Sequence, residues 1–192
     1  MDNTTYIAKK KDLFHRKELI SLVGVFATPF AILLTVAGIV VAGVQGPTLW
    51  TCAALMVFSA FMNYLFPWLL AKQPMERRGV GVQLRLILNV ALNSVLVYYL
   101  GDAFRPMWLV LALTPFATAI YASRVRTLSA AFAVSAALLT IHVLQGHGAN
   151  VLLLERLSYV TFMVLISLMI NSAAVYPPST EEILKMLKRP SI

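Results

Sequence analysis

Charged residues are scarce in this sequence of 192 residues, since they make up 12% of it, whereas 59% of the residues are hydrophobic. The scarcity is also local, because whole windows of about 20 residues carry no charge, and that length crosses a bilayer as a helix. A soluble domain instead distributes its apolar residues with helix or strand periodicity, so that each element buries one face. The composition therefore predicts an integral membrane protein.

Cysteine is also nearly absent, which excludes several classes of membrane enzyme. Cys52 is the only cysteine, and one thiol forms neither an intramolecular disulfide, nor a redox-active pair, nor an iron–sulfur cluster. The sequence has no nucleophile elbow, no phosphate-binding loop, no zinc-protease helix and no EF-hand loop. We therefore predict no catalytic residues, no metal site, no cofactor and no enzymatic activity.

The apolar residues fall into six segments, which predict an all-α, polytopic membrane protein with six transmembrane helices. The predicted spans are Leu19–Val44, Leu49–Ala71, Leu84–Leu100, Met107–Ala122, Leu128–Leu144 and Leu157–Val175. A basic segment, 1–18, precedes this six-helix domain, 19–176, and a short tail, 177–192, follows it. The third, fourth and fifth spans are short, since a helix of about 17 residues covers roughly 25 Å. They either recruit interfacial residues or cross locally thinned lipid, or two of them are re-entrant.

Lysines and arginines predict the orientation, because the short cytoplasmic loops of membrane proteins carry most of them. With six spans, all 16 basic residues except Arg105 and Arg156 fall on one side of the membrane. Both ends of the chain are therefore predicted to be cytoplasmic, in a bacterial inner membrane. The basic residues form short clusters between apolar segments, without an aromatic-interleaved basic face, which argues against a nucleic-acid partner.

Acidic residues are missing from the predicted spans, and proton pumps usually place a carboxylate or histidine relay there. His142 is the only histidine inside a predicted span, and a single axial ligand does not hold a b-type haem between helices. This histidine is either a hydrogen-bonded packing residue or part of a ligand site.

Two asparagines on the third predicted helix form the main polar feature of the apolar region. Asn89 and Asn93 are four residues apart, so they share one face with Arg85, which lies one turn further toward the cytoplasm. Unpartnered amides are costly in lipid, so this face is predicted to point into the bundle. Five polar residues are candidate partners: Asn63, Thr114, Thr118, Thr140 and Asn171. The amides either hold helices together or line a pocket for a small ligand.

On the predicted outer side, charged residues of both signs fall between helices three and six. Asp102, Arg105, Glu155 and Arg156, with His147, are predicted to cluster at the mouth of the bundle. A solvated loop with one weak ion pair is the simpler interpretation, and a mouth that gates a ligand is the alternative.

Small residues recur four apart in three predicted helices, a spacing that lets helix backbones approach closely in lipid. The three sets are Ala27, Ala31 and Thr35; Thr114, Thr118 and Ala122; and Ser129, Ala133 and Ala137. Helices one, four and five are therefore predicted to form the packed interior.

Several stretches between Leu84 and Leu144 combine a short third helix, a glycine-containing turn and a proline-containing fourth helix. They are Arg85-Leu86-Ile87-Leu88-Asn89, Val97-Tyr98-Tyr99-Leu100-Gly101, Arg105-Pro106-Met107-Trp108 and Leu113-Thr114-Pro115. In this respect the segment, about a third of the chain, resembles the multi-helix membrane sensor region of bacterial histidine kinases. The resemblance implies a sensor-like membrane module, and it carries over no functional residue of that family.

After Pro177 and Pro178 the sequence has no room for the dimerisation and ATP-binding domains of a kinase. We therefore expect a non-enzymatic membrane subunit or sensor-like module that acts through contacts with another membrane protein or a second copy, embedded in lipid. The alternative is a small-molecule binding or transport component, since the format is also similar to the substrate-binding subunit of energy-coupling-factor transporters.

Overall fold

The computed structural model describes residues 26–71 and 75–175, which form helices joined by short turns, with no strand in these two ranges. The helices are α1 (described over Phe26–Ala42), α2 (Gly46–Ala71), α3 (Met75–Leu100), a 3-10 turn (Arg105–Met107), α4 (Trp108–Tyr121), α5 (Arg124–Leu144) and α6 (Val151–Val175). The predicted all-α class is confirmed for these ranges. The predicted segment 1–18 and tail 177–192 lie outside the described residues.

Four helices contain a segment that is long and apolar enough to cross a membrane. These segments are Gly46–Leu65, Gln83–Leu100, Arg124–Leu144 and Val151–Ala174. The described part of α1 is shorter, and α4 has only 14 residues. The chain is therefore a multi-pass membrane protein by the length and composition of its helices.

The third and fifth helices are longer than the sequence predicted. Helix α3 has 26 residues and α5 has 21, so at about 1.5 Å per residue both exceed the roughly 30 Å of a hydrocarbon core. The apolar segment of α3, Gln83–Leu100, is nearly the short span predicted, and both helices continue beyond their predicted spans into flanking polar and charged residues. Helix α4 is also as short as predicted.

The sixth helix begins earlier than predicted, at Val151 instead of Leu157. Asn150 caps it, since its Oδ1 accepts hydrogen bonds from the backbone N–H groups of Leu152 (3.1 Å) and Leu153 (3.3 Å). Two charged residues predicted to lie in a loop, at positions 155 and 156, are therefore helical. The prediction that no acidic residue lies within a span was wrong as well, because Glu155 falls in the apolar segment of α6.

The packed interior lies where α4, α5 and α6 each contact the other two, with α3 against α4 and α5, and α2 against α3. Its buried core includes Leu96, Leu100, Leu111, Val134, Leu138 and Met163. Helices α4 and α5 thus take the interior positions predicted for them. However, α5 turns a different face inward, because Ser129 and Ala133 are exposed while Ala130 and Ala131 are buried. The larger buried residues Val134 and Leu138 follow on that inward face and fill the interior.

Candidate functional site

The first candidate site is a polar cluster centred on Asn63 of α2, one of the five partners that the sequence suggested. Its side-chain Oδ1 accepts hydrogen bonds from Nη2 of Arg85 and from Nδ2 of Asn89, each at 3.0 Å. Arg85 also donates to the backbone carbonyl of Asn63 at 3.4 Å. The predicted face of α3 therefore points to a neighbouring helix, where one amide oxygen joins α2 to α3.

Asn93 contacts a different helix, although it lies only one turn away from Asn89. Its side chain is 8% exposed, and Nδ2 donates to the backbone carbonyl of Val110 in α4 at 3.2 Å. The two predicted asparagines thus connect α3 to α2 and to α4 separately.

A small polar cleft lies between α1, α2, α3 and α4 beside this cluster. It encloses about 10 Å³, close to the minimum that holds one water molecule. Five polar side chains contribute to its lining: Thr28, Thr35, Ser59, Asn63 and Asn93. Oδ1 of Asn89 is buried without a hydrogen-bond partner among the described residues. Asn89 is not among the residues that line the cleft, so this acceptor is separate from it.

The second candidate site lies at the opposite end of the bundle and depends on the turn after α5. Gly146 has a φ of +76°, which residues with a side chain rarely adopt, and its N–H donates to the carbonyl of Val143 at 3.0 Å. The N–H of His147 donates to the carbonyl of His142 at 3.3 Å, which completes a Schellman motif. The motif ends α5 and directs the His147 side chain back toward the bundle.

His147 joins the four charged residues that the sequence placed at the mouth of the bundle. Its Nε2 lies 3.0 Å from Oδ2 of Asp102, whose Oδ1 lies 3.4 Å from Nη2 of Arg156. Beside them, Nη1 of Arg105 and Oε2 of Glu155 form an ion pair at 3.0 Å. The structure therefore brings all five predicted residues together, and we call them the outer charged cluster.

Arg156 is the member whose surroundings differ most from the sequence prediction. The prediction of a solvated loop was wrong for it, because its side chain is 2% exposed. Tyr159, one turn further along α6, donates a hydrogen bond to Glu155 and stacks on Trp108 with ring centroids 4.7 Å apart. The guanidinium is buried because α6 is already helical at this position and is packed against α4.

His142, the histidine predicted inside a span, is 2% exposed near the end of α5. Its Nε2 lies 3.2 Å from the backbone carbonyl of Gly148, which can only accept, so Nε2 is the donor of this hydrogen bond. The His147 ring lies beside it, with centroids 5.4 Å apart. In ranges 26–71 and 75–175 no three histidine, cysteine, aspartate or glutamate residues are grouped so as to hold a metal ion.

No family model matches the chain, and no curated protein or solved structure shows significant similarity to it. The functional argument therefore rests on the structure of the chain itself.

Three contributors to these sites were not predicted from the sequence, although two left a signal. Tyr159 follows Glu155 by four residues, the spacing of neighbours on one helix face. Asn150 stands directly before an apolar helical run, as an N-cap residue does. Trp108 had no such signal, because its contact with Tyr159 joins two helices that are distant in sequence.

Proposed function

We propose that this chain is a non-enzymatic, multi-pass subunit of a bacterial inner-membrane assembly, acting through contact with a partner's membrane helices. The proposal includes six spans with both chain ends in the cytoplasm, supported by the distribution of basic residues along the sequence. It also includes the sensor-like role implied by the resemblance to the membrane regions of histidine kinases. The exposed face of α5 carries the argument for partner contact.

Small side chains recur on that face over more than two helical turns, beside the larger exposed side chains of Val125, Phe132 and Val143. Ser129, Ala133, Ala136 and Thr140 are all exposed and follow one another at intervals of four, three and four residues. This spacing keeps them on one side of a helix. Small residues let a second helix approach closely, and close packing is a main source of helix association in lipid.

The outward faces of α1 and α2 carry more large exposed apolar side chains than α5 does, which makes α5 the preferred contact. Their exposed side chains are large and apolar, among them Phe30, Leu33, Phe58 and Phe61. Large apolar side chains are suited to lipid acyl chains, whereas a face of small residues leaves a shallow groove that a helix fills better than lipid. We therefore place the partner helix, from another protein or a second copy, along α5.

The test is to fill the groove. The double substitution Ala133→Leu and Ala136→Leu should release the partner when native membranes are solubilised in a mild detergent and the tagged chain is isolated. The matched control is Ala54→Leu on the exposed side of α2, which should leave the particle mass unchanged. The readouts are the mass of the particle and the identity of its components. A particle that is unaffected by the double substitution, or that is a lone monomer from the start, would contradict the proposal.

Small-molecule binding is a second candidate function, favoured by the polar cleft beside Asn63. The cleft offers hydrogen-bonding groups of Thr28, Ser59, Asn63 and Asn93 to one polar group of a ligand, since its volume is close to that of one water molecule. Replacing both Asn89 and Asn93 by leucine should abolish retention of such a ligand by the purified protein, measured by native mass spectrometry. Ser94→Ala is the control, because the Ser94 hydroxyl donates to its own helix, to the carbonyl of Val90 at 2.7 Å. Equal retention in all three proteins would reject this function.

A further inference from the structure

Arg156 has more hydrogen-bond donors than the described residues satisfy. A guanidinium carries five N–H groups on three nitrogens. Only Nη2 has a partner in the described ranges, Oδ1 of Asp102 at 3.4 Å, while the buried Nε and Nη1 have none. A buried cation with unsatisfied donors destabilises a protein unless acceptors are supplied. This side chain therefore requires further acceptor atoms.

The neighbouring carboxylates are already engaged with other groups. The second oxygen of Asp102 contacts His147, and Glu155 is held by Arg105 and by the hydroxyl of Tyr159. Each carboxylate is thus positioned by a cation or donor other than Arg156. Among the described residues, none accepts from the remaining donors of Arg156.

We infer that Arg156 anchors a binding site for an oxyanion, a phosphate group in the first instance, at this end of the bundle. The planar guanidinium presents donors in a geometry that matches phosphate oxygens, and hydrogen bonds between two charged groups are about twice as strong as neutral ones. The inference does not depend on the proposed partner contact, because the site lies in the outer charged cluster and not on the exposed face of α5.

The outer charged cluster extends from the buried guanidinium to the surface of the bundle. Arg156 lies five residues into α6, so it is about 8 Å along the helix from Val151. Two members of the cluster connect it to the surface, since the side chain of Arg105 is 66% exposed and that of Asp102 is 46% exposed. A phospholipid headgroup and a dissolved phosphate compound present the same chemistry to the guanidinium.

Two substitutions with opposite expected effects test the inference on the full-length chain, purified in detergent and depleted of lipid. Inorganic phosphate is titrated while the unfolding temperature is measured. Arg156→Gln should weaken the phosphate-dependent stabilisation by about tenfold or more, because charge-assisted hydrogen bonds are lost. Asp102→Asn should strengthen it, because the competing negative charge is removed while the guanidinium remains. The control is Arg126→Gln, an exposed arginine at the other end of α5, which should match the unsubstituted protein.

A second arm identifies the source of the phosphate group. Native mass spectrometry counts the phospholipid molecules retained by each variant when phosphatidylglycerol is added back. A lipid retained by the unsubstituted chain, lost in Arg156→Gln and displaced by inorganic phosphate, assigns the site to a headgroup. Stabilisation by phosphate without lipid retention assigns it to a dissolved compound.

The inference would be overturned if neither probe binds, or if phosphate stabilises all the variants equally. It would also be overturned if Asp102→Asn weakened the response to phosphate instead of strengthening it. The Asp102→Asn result keeps the test decisive even if Arg156→Gln fails to fold. Loss of a partner protein through the substitutions in α5 would leave these results unchanged, so the two proposals fail separately.

Discussion

Asn171 of α6 offers a direct measurement of how one amide holds the inner helices together. Its side chain is fully buried, and Nδ2 donates to the backbone carbonyls of Ala119 and Ala122, each at 2.8 Å. Both carbonyls lie at the end of α4, where the helix supplies no further N–H groups. Nδ2 also lies 3.3 Å from Oγ1 of Thr127 at the start of α5. One amide therefore joins α6 to both helices that it packs against.

Replacing Asn171 with leucine, which has a similar shape, should lower the free energy of unfolding by about 1 to 3 kcal/mol. The range follows from two short interhelical hydrogen bonds, which contribute on average about 0.6 kcal/mol and at most about 1.7 kcal/mol each in membrane proteins. Oδ1 of Asn171 has no partner among the described residues, so its removal offsets part of the loss. The two backbone carbonyls that are left without a donor increase the loss of stability.

The assay is reversible unfolding of the purified chain from mild detergent into a denaturing detergent, followed by circular dichroism. Thr161→Val on the exposed side of α6 is the control, because the Thr161 hydroxyl bonds to its own helix at the Leu157 carbonyl. The control should change stability by less than about 0.5 kcal/mol, as exposed substitutions usually do. A loss at Asn171 no larger than the loss at Thr161 would refute the idea that this amide connects the three helices.

Two further predictions concern topology and packing. A cysteine introduced at Gly148 should react with an impermeant thiol reagent added outside the cell, whereas a cysteine introduced at Ser123 should be protected. Protection at Gly148 alone would remove one span from the proposed topology. Gly38→Leu should destabilise the chain by about 1 to 3 kcal/mol through overpacking, because a Cβ at this position would lie 3.2 Å from Cδ1 of Leu100. An equal effect of Ala54→Leu in the same unfolding assay would show that the close approach of α1 to α3 contributes nothing specific.

Sequence patterns gave good boundaries wherever an apolar segment ended at a turn. The third span was predicted over Leu84–Leu100 and its apolar segment is Gln83–Leu100, while the fifth ends at Leu144 as predicted. These ends are local properties, since Gly101 follows the third span directly and Gly146 follows the fifth after one residue. The sixth span was misplaced at its start because Glu155 and Arg156 were treated as breaks. A charged residue interrupts an apolar pattern in the sequence. It does not end a helix when an oppositely charged side chain lies close enough to pair with it.

The sequence by itself determined the helical class, the membrane environment and the residues able to form polar contacts, because all three follow from composition and spacing along the chain. Only the tertiary structure decided which of those residues meet. Asn63 was one of five possible partners for the α3 amides, and the structure places its amide oxygen within 3.0 Å of Arg85 and Asn89. Burial of Arg156 and exposure of Ala133 were equally undetermined, because they depend on how α6 and α5 are rotated against their neighbours. That rotation follows from packing across helices distant in sequence, which no local pattern records.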